Sequence, residues 1–284
     1  MTDRAPSVLV SILSWDSPRY LANLLDNLDG LPPSVGGRTS VHLHVLDQGS
    51  DAETCELIRS FVARGGSRSA AFLPGNIGFG RGHNRVFERV YRQTRFDYFV
   101  MVNQDVLFGH PGWVDQLVEG MADPAVAIGG PVVWQLCDRP GVLLETSPQP
   151  DVERIFSIQG SVAIVRTDAV ERFGLFDAAY SPAYFEDTDL CRRYVHAGLK
   201  LAWIPIAQVH AYLGGQEKLI RRKAEALRAE HGDFHARNRA LFRRRWMAET
   251  APAVTEETLE RLWPGVYRPK RPERRADGES PASS

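Results

Sequence analysis

Short apolar runs alternate with amphipathic stretches through the first hundred residues. Val8-Leu-Val-Ser-Ile-Leu13 has the character of a buried strand, and Tyr20, Leu21, Leu24, Leu25 and Leu28 recur at helical spacing behind Pro18, a residue suited to a first helical turn. A loop with Pro32, Pro33, Gly36 and Gly37 leads to a second strand at Val41 to Leu46 and a helix from Asp51 to Ala63. A short strand follows near Ala70 to Leu73, then a glycine-rich loop and a helix from about Gly82 to Gln93. Tyr98-Phe-Val-Met-Val102 is a buried strand ending on Asn103-Gln-Asp105. This βαβα rhythm predicts a mostly parallel, doubly wound α/β sheet.

The second half is less regular. Ala125 to Trp134 reads as a strand region, Gln135 to Asp151 as a proline-containing excursion, and Ser157 to Val165 as one strand. Thr167 is expected to cap a short helix ending at Phe173. Glu186 to Ala197 reads as a helix closed by Gly198, Leu201 to Ile206 as a last strand, and Gln216 to Trp246 as one long charged helical segment. Beyond Tyr267 the composition predicts a disordered tail.

The chain has 284 residues, 43% of them hydrophobic and 24% charged, with a net charge of -1, so nothing global points to nucleic acid. Charge is uneven only locally: Lys218 to Arg245 is basic, suiting either a solvated helix packed on the domain or a membrane-surface contact. Cys55, Cys137 and Cys191 are widely spaced and form no CxxC pair, which argues against a zinc ribbon or disulfide framework. The apolar run at Ser7 to Leu13 is too short for a signal peptide, and no stretch approaches a membrane span. A cytoplasmic protein is expected, with peripheral contact at the inner membrane face as an option.

Ligands bind doubly wound sheets at the carboxyl ends of strands, which directs attention to Ser14 and Trp15, Asp47 to Asp51, and Asn103 to Asp105. In Asp47-Gln-Gly-Ser-Asp51 a carboxylate can accept from a base or ribose; equally, the segment can be a strand-to-helix turn with Ser50 or Asp51 as the cap. Asp105 is positioned to hold a divalent ion beside a diphosphate. Gly75-Asn-Ile-Gly-Phe-Gly-Arg-Gly-His-Asn84 lets backbone approach a crowded ligand. It is neither a dinucleotide fingerprint, because His83 stands at the third glycine position, nor a P-loop. Glu186, Asp187 and Asp189 open a helix, where the dipole favours acids in any case. Asp187 and Asp189 are two residues apart and cannot both face one site, so one is expected to be a base and the other a structural acid. His210 suits a metal shell with Asp105, or a hydrogen-bonded loop. His42, His44, His196, His231 and His235 are expected to be structural.

Taken in order, these segments resemble the glycosyltransferase 2 family with the GT-A fold, and most nearly its bacterial rhamnosyltransferase-like members, over roughly Ser7 to Trp246. Asp47-Gln-Gly-Ser resembles the family's Asp-Asn-Gly-Ser turn, Asn76 to Asn84 its Asn-x-Gly-Phe-(Ala/Gly)-x-Gly-x-Asn signature, and Asn103-Gln-Asp105 its metal-binding DxD. Gly160-Ser161 is similar to a small-residue turn near the acceptor. Gly174-Leu-Phe-Asp177 with Tyr184-Phe-Glu-Asp-x-Asp-Leu-Cys-x-Arg193 is similar to the acceptor and base motif, His210 to a histidine late in the domain, and Arg237-Asn238 to a pair in the trailing helix. Departures are Asn103 for the first acid of DxD, Trp15-Asp16 for Tyr-Asn, and Gln48 for Asn.

The resemblance implies a Rossmann-like doubly wound mixed sheet with a C-terminal helical extension. Residues 1–215 would form the glycosyltransferase domain, its nucleotide-binding half at about 7–108 and its acceptor-binding half at about 109–215. The extension would span 216–266 and the tail 267–284. It implies an inverting hexosyltransferase of polysaccharide assembly, moving a sugar such as the deoxysugar rhamnose from a dTDP-, UDP- or GDP-donor. The acceptor would be a glycan, a lipid-linked molecule or a small molecule. Asp187 would be the general base, and Asp105 and His210 would hold Mn or Mg. Ser14, Trp15, Asp47, Ser50, Asn76, Gly78, Asn84, Asn103, Gln104 and Asp105 would meet the donor; Gly160, Ser161, Glu186 and Arg193 would meet the acceptor. Two rivals stand beside this: a sugar-nucleotide nucleotidyltransferase, for which the Arg/Lys-containing loop after the first strand is missing, and a non-catalytic sugar- or nucleotide-binding relative.

Overall fold

The computed structural model describes residues 4–136, 143–146, 154–210, 217–247 and 253–269. The proline-containing excursion lies largely outside these residues, as does the predicted tail beyond residue 269. The first half follows the apolar pattern closely: β1 (Ser7–Ser14), α1 (Pro18–Gly30), β2 (Ser40–Gln48), α2 (Ala52–Ala63), β3 (Arg68–Leu73), α3 (Phe79–Tyr91), β4 (Tyr98–Asn103) and β5 (Val106–Phe108). Then come α4 (Trp113–Gly120), β6 (Val126–Gly130), β7 (Val133–Leu136), β8 (Leu143–Thr146), β9 (Ile155–Ile158), β10 (Val162–Arg166), α5 (Thr167–Phe173) and α6 (Glu186–His196). The remainder is β11 (Lys200–Trp203), β12 (Gln208–His210), α7 (Glu217–His231), α8 (Phe234–Trp246) and α9 (Glu256–Leu262).

Among the described residues the main sheet has seven strands in the order β11-β6-β10-β4-β1-β2-β3. β10 runs antiparallel to both its neighbours and the other pairs are parallel, which makes the doubly wound sheet mixed. Alternate residues of β1 serve opposite faces. Val8, Val10 and Ile12 pack with Leu21 and Leu24 of α1, Phe61 of α2 and Trp113 of α4. Leu9 belongs to the other layer, with Phe87 of α3, Tyr194 of α6 and Trp246 of α8. Burial on both faces is why β1 and β4 read as unbroken apolar runs.

Three expectations are corrected. The apolar stretch at 157–165 is two strands, broken at Gln159-Gly160-Ser161, because β9 joins a small sheet with β7 and β8 while β10 enters the main one. Thr167 does not cap α5; its hydroxyl donates instead to the Phe96 carbonyl at 2.6 Å and the Asp97 carbonyl at 3.0 Å. The long charged segment is two helices, parted where Gly232 takes φ +67° and Asp233 caps α8 by accepting from Ala236 N at 3.0 Å. Among the described residues no helix is long and apolar enough to cross a membrane.

A polar seam runs inside the second layer. Ser11 Oγ and His83 Nδ1 are hydrogen-bonded at 2.8 Å, and Ser69 Oγ lies 2.7 Å from His44 Nδ1. Burial pushes His83 down to about 3 and His44 down to about 4, the latter helped by the charges of His42 and Arg89. Both imidazoles are therefore neutral in the folded protein. Their folded values lie below the unfolded value, so the unfolded chain takes up protons first as the pH falls. Stability should be intact above about pH 6.5 and fall between there and about pH 4, by about 1.4 kcal/mol per pH unit for each imidazole. The difference in urea-unfolding free energy between the wild-type chain and His44→Gln at stepped pH isolates the His44 part of that slope, and a difference that stays constant from pH 7 to 5 would contradict it.

Candidate active site

Two adjoining cavities open at the carboxyl ends of β1 and β4, where a doubly wound sheet presents its strand-end residues. The first, of about 380 Å³, is walled by Ser14 and Trp15 at the end of β1, Asn103, Gln104 and Asp105 at the end of β4, Asn76, Gly78 and Phe79 of the glycine loop, and Lys223 and Leu227 of α7. Gln104 holds the Trp15 backbone from both sides: its Oε1 accepts from Trp15 N at 3.2 Å and its Nε2 donates to Trp15 O at 3.4 Å. In the glycine loop, Asn76 Oδ1 accepts from Gly78 N at 2.8 Å. Gly78 sits at φ +90° against Pro182, whose carbonyl oxygen would be 2.5 Å from any Cβ at this position. Only glycine allows that approach.

Asp47 and Ser50 stand one layer behind this wall. Buried Asp47 turns Oδ2 onto the Gly49 and Ser50 amides at 3.1 and 3.0 Å, and Ser50 Oγ accepts from Asp16 N at 2.8 Å. Asp51 caps α2 by accepting from Thr54 N at 2.8 Å. The turn thereby braces the Trp15-Asp16 loop.

The second cavity, of about 550 Å³, is lined by Gly160, Ser161, Glu186, Asp187 and His210 together with aromatic side chains that include Trp134, Phe185 and Phe242. Asp187 is partly buried on its wall; Oδ2 accepts from Gly160 N at 3.0 Å and Oδ1 from Thr188 N at 2.7 Å. Burial raises its pKa, and these donors pull the other way without cancelling the rise. Burial also pushes the Glu186 carboxyl well above the usual range, reinforced by the charge of Asp187. The Glu186 Oε2 has no hydrogen-bond partner among the described residues. Asp189 faces the core instead, so the structure separates the two aspartates as their spacing requires.

His210 reaches this place through a separate two-stranded ribbon. β12 pairs antiparallel with β5, with His210 opposite Val106, which leaves His210 Nδ1 3.8 Å from Asp105 Oδ1. Among the described residues no third His, Cys, Asp or Glu joins them as a metal cluster.

Phe79, Asn103, Ala183 and Tyr184 line both cavities and form the partition between them. Tyr184 and Phe185 both adopt left-handed backbone, φ +74° and +73°, which is costly for aromatic residues and usually marks an over-determined functional turn. The buried amide of Asn238 in α8 holds that turn: Nδ2 donates to the carbonyls of Tyr180 at 2.9 Å, Ala183 at 2.8 Å and Tyr184 at 3.3 Å. Its neighbour Arg237 donates to the Ser181 carbonyl.

Four expected site residues line neither cavity: Asp47 and Ser50, which brace the loop behind the wall, and Asn84 and Arg193. Asn84 is spent on the Phe176 backbone, donating to its carbonyl at 2.9 Å and accepting from its N–H at 3.0 Å. Arg193 is wholly buried, donating to Asp189 Oδ2 at 2.9 Å, to the Phe173 carbonyl at 2.7 Å and to the Leu175 carbonyl. Two other wall residues escape sequence reasoning. Lys223 lies 4.6 Å over the Trp15 ring, donates to Ser17 Oγ at 2.8 Å and to the Trp15 carbonyl, and is pulled by burial down to about 8. His235, expected to be structural, lines the second cavity. In sequence both are ordinary members of a basic helical stretch, and only the return of α7 and α8 over the strand ends distinguishes them.

No family model and no curated protein matches the sequence. Solved structures do match in fold. The mannosyltransferase PcManGT from Pyrobaculum calidifontis, in complex with GDP-Man and Mn2+, aligns with a TM-score of 0.59 at 16% identity, over 88% of this chain and 68% of that one. GalNAc-T7 with UDP, GalNAc and Mn2+ aligns at 0.58 and 12% identity, over 74% of this chain and 44% of that one. TarS 1-349 from S. aureus aligns at 0.51 and 13% identity, over 72% and 60%. The chain thus spans about two thirds or less of these proteins. It has the GT-A fold that these glycosyltransferases share.

Proposed function

We propose that the chain is an inverting glycosyltransferase that moves a sugar from a nucleotide-diphosphate donor to an acceptor hydroxyl. One observation carries the reading: Asp187, a desolvated carboxylate, lines a cavity divided by a single partition from another that holds Trp15 and Asp105. The first cavity suits the donor. Trp15 offers an aromatic face for the base, Ser14, Asn76, Gly78, Asn103 and Gln104 surround the rest, and Lys223 adds a positive charge for the diphosphate. The GDP-Man and Mn2+ held by the mannosyltransferase, and the UDP and Mn2+ held by GalNAc-T7, support a sugar nucleotide and a divalent ion here as well.

Asp105 and His210 fit such an ion. They offer one carboxylate oxygen and one imidazole nitrogen at the edge of the partition, a donor pair Mn accepts, with the donor's own oxygens left to complete the shell. When bound, the ion supplies positive charge against the departing diphosphate. In the second cavity Asp187 accepts the acceptor hydroxyl's proton as that oxygen attacks the anomeric carbon, opposite the leaving group. Gly160 N and Thr188 N hold the carboxylate in place for this step. The sequence resemblance points to a deoxyhexose such as rhamnose as the sugar, with Mg serving beside Mn, and to a cytoplasmic enzyme. The nucleotidyltransferase rival lacks a basic loop after β1, and a purely binding role leaves the desolvated Asp187 without purpose.

A thermal-shift screen of UDP-, dTDP- and GDP-sugars with and without Mn identifies the donor through its stabilisation of the folded chain; turnover is then measured with that donor. Asp187→Asn should lower kcat by about 10²–10⁴ while donor affinity changes little, since the base acts only on the acceptor; undiminished turnover removes Asp187 from the role. Asp105→Ala should abolish the Mn-dependent part of donor binding seen by calorimetry, and an unchanged metal dependence counts against Asp105. Asp187 works deprotonated and Lys223 works charged, so kcat/KM should rise through an acid limb above the usual carboxylate range and fall above about pH 8. Lys223→Arg should move only the alkaline limb upward.

A further inference from the structure

The wall of the second cavity carries two carboxyl groups, Glu186 and Asp187, and among the described residues no lysine or arginine; its nitrogen bases are the imidazoles of His210 and His235. Every anionic ligand placed beside Asp187 would meet like charge in a partly desolvated site, with no guanidinium or ammonium to offset it. Much of the remaining lining is aromatic. Phe185 and Phe242 lie with ring centroids 5.6 Å apart and Trp134 joins them on the cavity surface. Ring faces carry a negative quadrupole that attracts the partially positive C–H bonds of a flat ring while repelling anions. Glu186 is 6% exposed, and among the described residues its Oε2 is buried without a hydrogen-bond partner, so this carboxyl of the cavity lining keeps unused hydrogen-bonding capacity.

We propose that the second cavity takes an uncharged, hydroxyl-bearing ring compound, a neutral sugar or an aryl glycoside, whose flat face stacks on Trp134, Phe185 and Phe242, and that it rejects phosphorylated or carboxylated acceptors. The inference rests on the transferase reading, in which this cavity receives the acceptor. Glu186 then meets a second hydroxyl of the ring, while Asp187 meets the reacting one.

The test is direct binding to the full chain, by saturation-transfer NMR and tryptophan fluorescence. The probes are methyl β-D-glucopyranoside, p-nitrophenyl β-D-glucopyranoside, glucuronate and glucose 6-phosphate. The neutral glycosides should bind about tenfold or more tightly than either anion. Trp134→Ala should weaken them by about tenfold, Trp134→Phe should retain most of the affinity, and Trp134→Lys should shift preference toward the anions, with circular dichroism verifying each fold. A loss in Trp134→Ala confined to the aryl probe assigns the stacking to the aglycone, and an equal loss for both probes assigns it to the sugar ring. Equal or tighter binding of glucuronate or glucose 6-phosphate, or no binding of either neutral glycoside at millimolar concentration, overturns the proposal. If the glycosides bind and respond to Trp134 while no sugar nucleotide turns over, the transferase reading fails alone. Efficient transfer to an anionic acceptor sinks the acceptor class and leaves the transferase standing.

Discussion

Asp189 is fully buried at the start of α6, and its two oxygens receive Tyr180 Oη at 3.1 Å, Arg193 Nε at 2.9 Å, Arg245 Nη1 at 3.3 Å and Trp246 Nε1 at 2.9 Å. A carboxylate taken out of water costs several kcal/mol unless donors surround it in this way. The same arginine of α8 also pairs with Asp177 at 2.7 Å. Because residues two apart point to opposite sides of a helix, fixing Asp189 inward leaves Asp187 facing the second cavity. One buried ionic cluster thus sets the rotation of α6, joins it to α8, and aims the carboxylate on which the proposed chemistry depends.

The loop leading into α6 needs the same support. Two consecutive aromatic residues in left-handed backbone cost on the order of 1–3 kcal/mol each, and the chain keeps them because the Asn238 amide spans three carbonyls of the turn. α8 therefore serves the site twice, through Arg245 and Trp246 on one side and Arg237 and Asn238 on the other. With Lys223 contributed by α7, the segment beyond β12 is as much a part of the site as the strand ends are.

Legibility in the sequence follows from what each position is asked to do. β1, β2 and β4 are buried on both faces, so their apolar runs announce them, and strand-end polar residues such as Trp15 and Asp105 stand out against that background. The break at Gly160 is hidden because Phe156, Ile158 and Val162 are apolar on both sides of it, and only the sheet each strand joins parts β9 from β10. Asn84 and Arg193 belong to conspicuous motifs yet hold backbone carbonyls, since a motif preserves the residues that shape a site along with those that face it. Lys223 is the reverse case. Nothing local separates it from its basic neighbours, and its role comes from α7 lying over Trp15, a contact 208 residues distant along the chain.

The partition of Phe79, Asn103, Ala183 and Tyr184 is one residue thick, and the glycine loop is pressed against the bend before α6, Gly78 lying against Pro182 and Phe79 N donating to the Pro182 carbonyl at 2.7 Å. The selectivities of the two chambers are for that reason not separable traits. Remodelling the wall to admit a bulkier partner on one side reshapes the other, so under the proposed function changes of donor and of acceptor preference would have to arise together or be confined to the outer walls, where Trp15 and Trp134 stand apart.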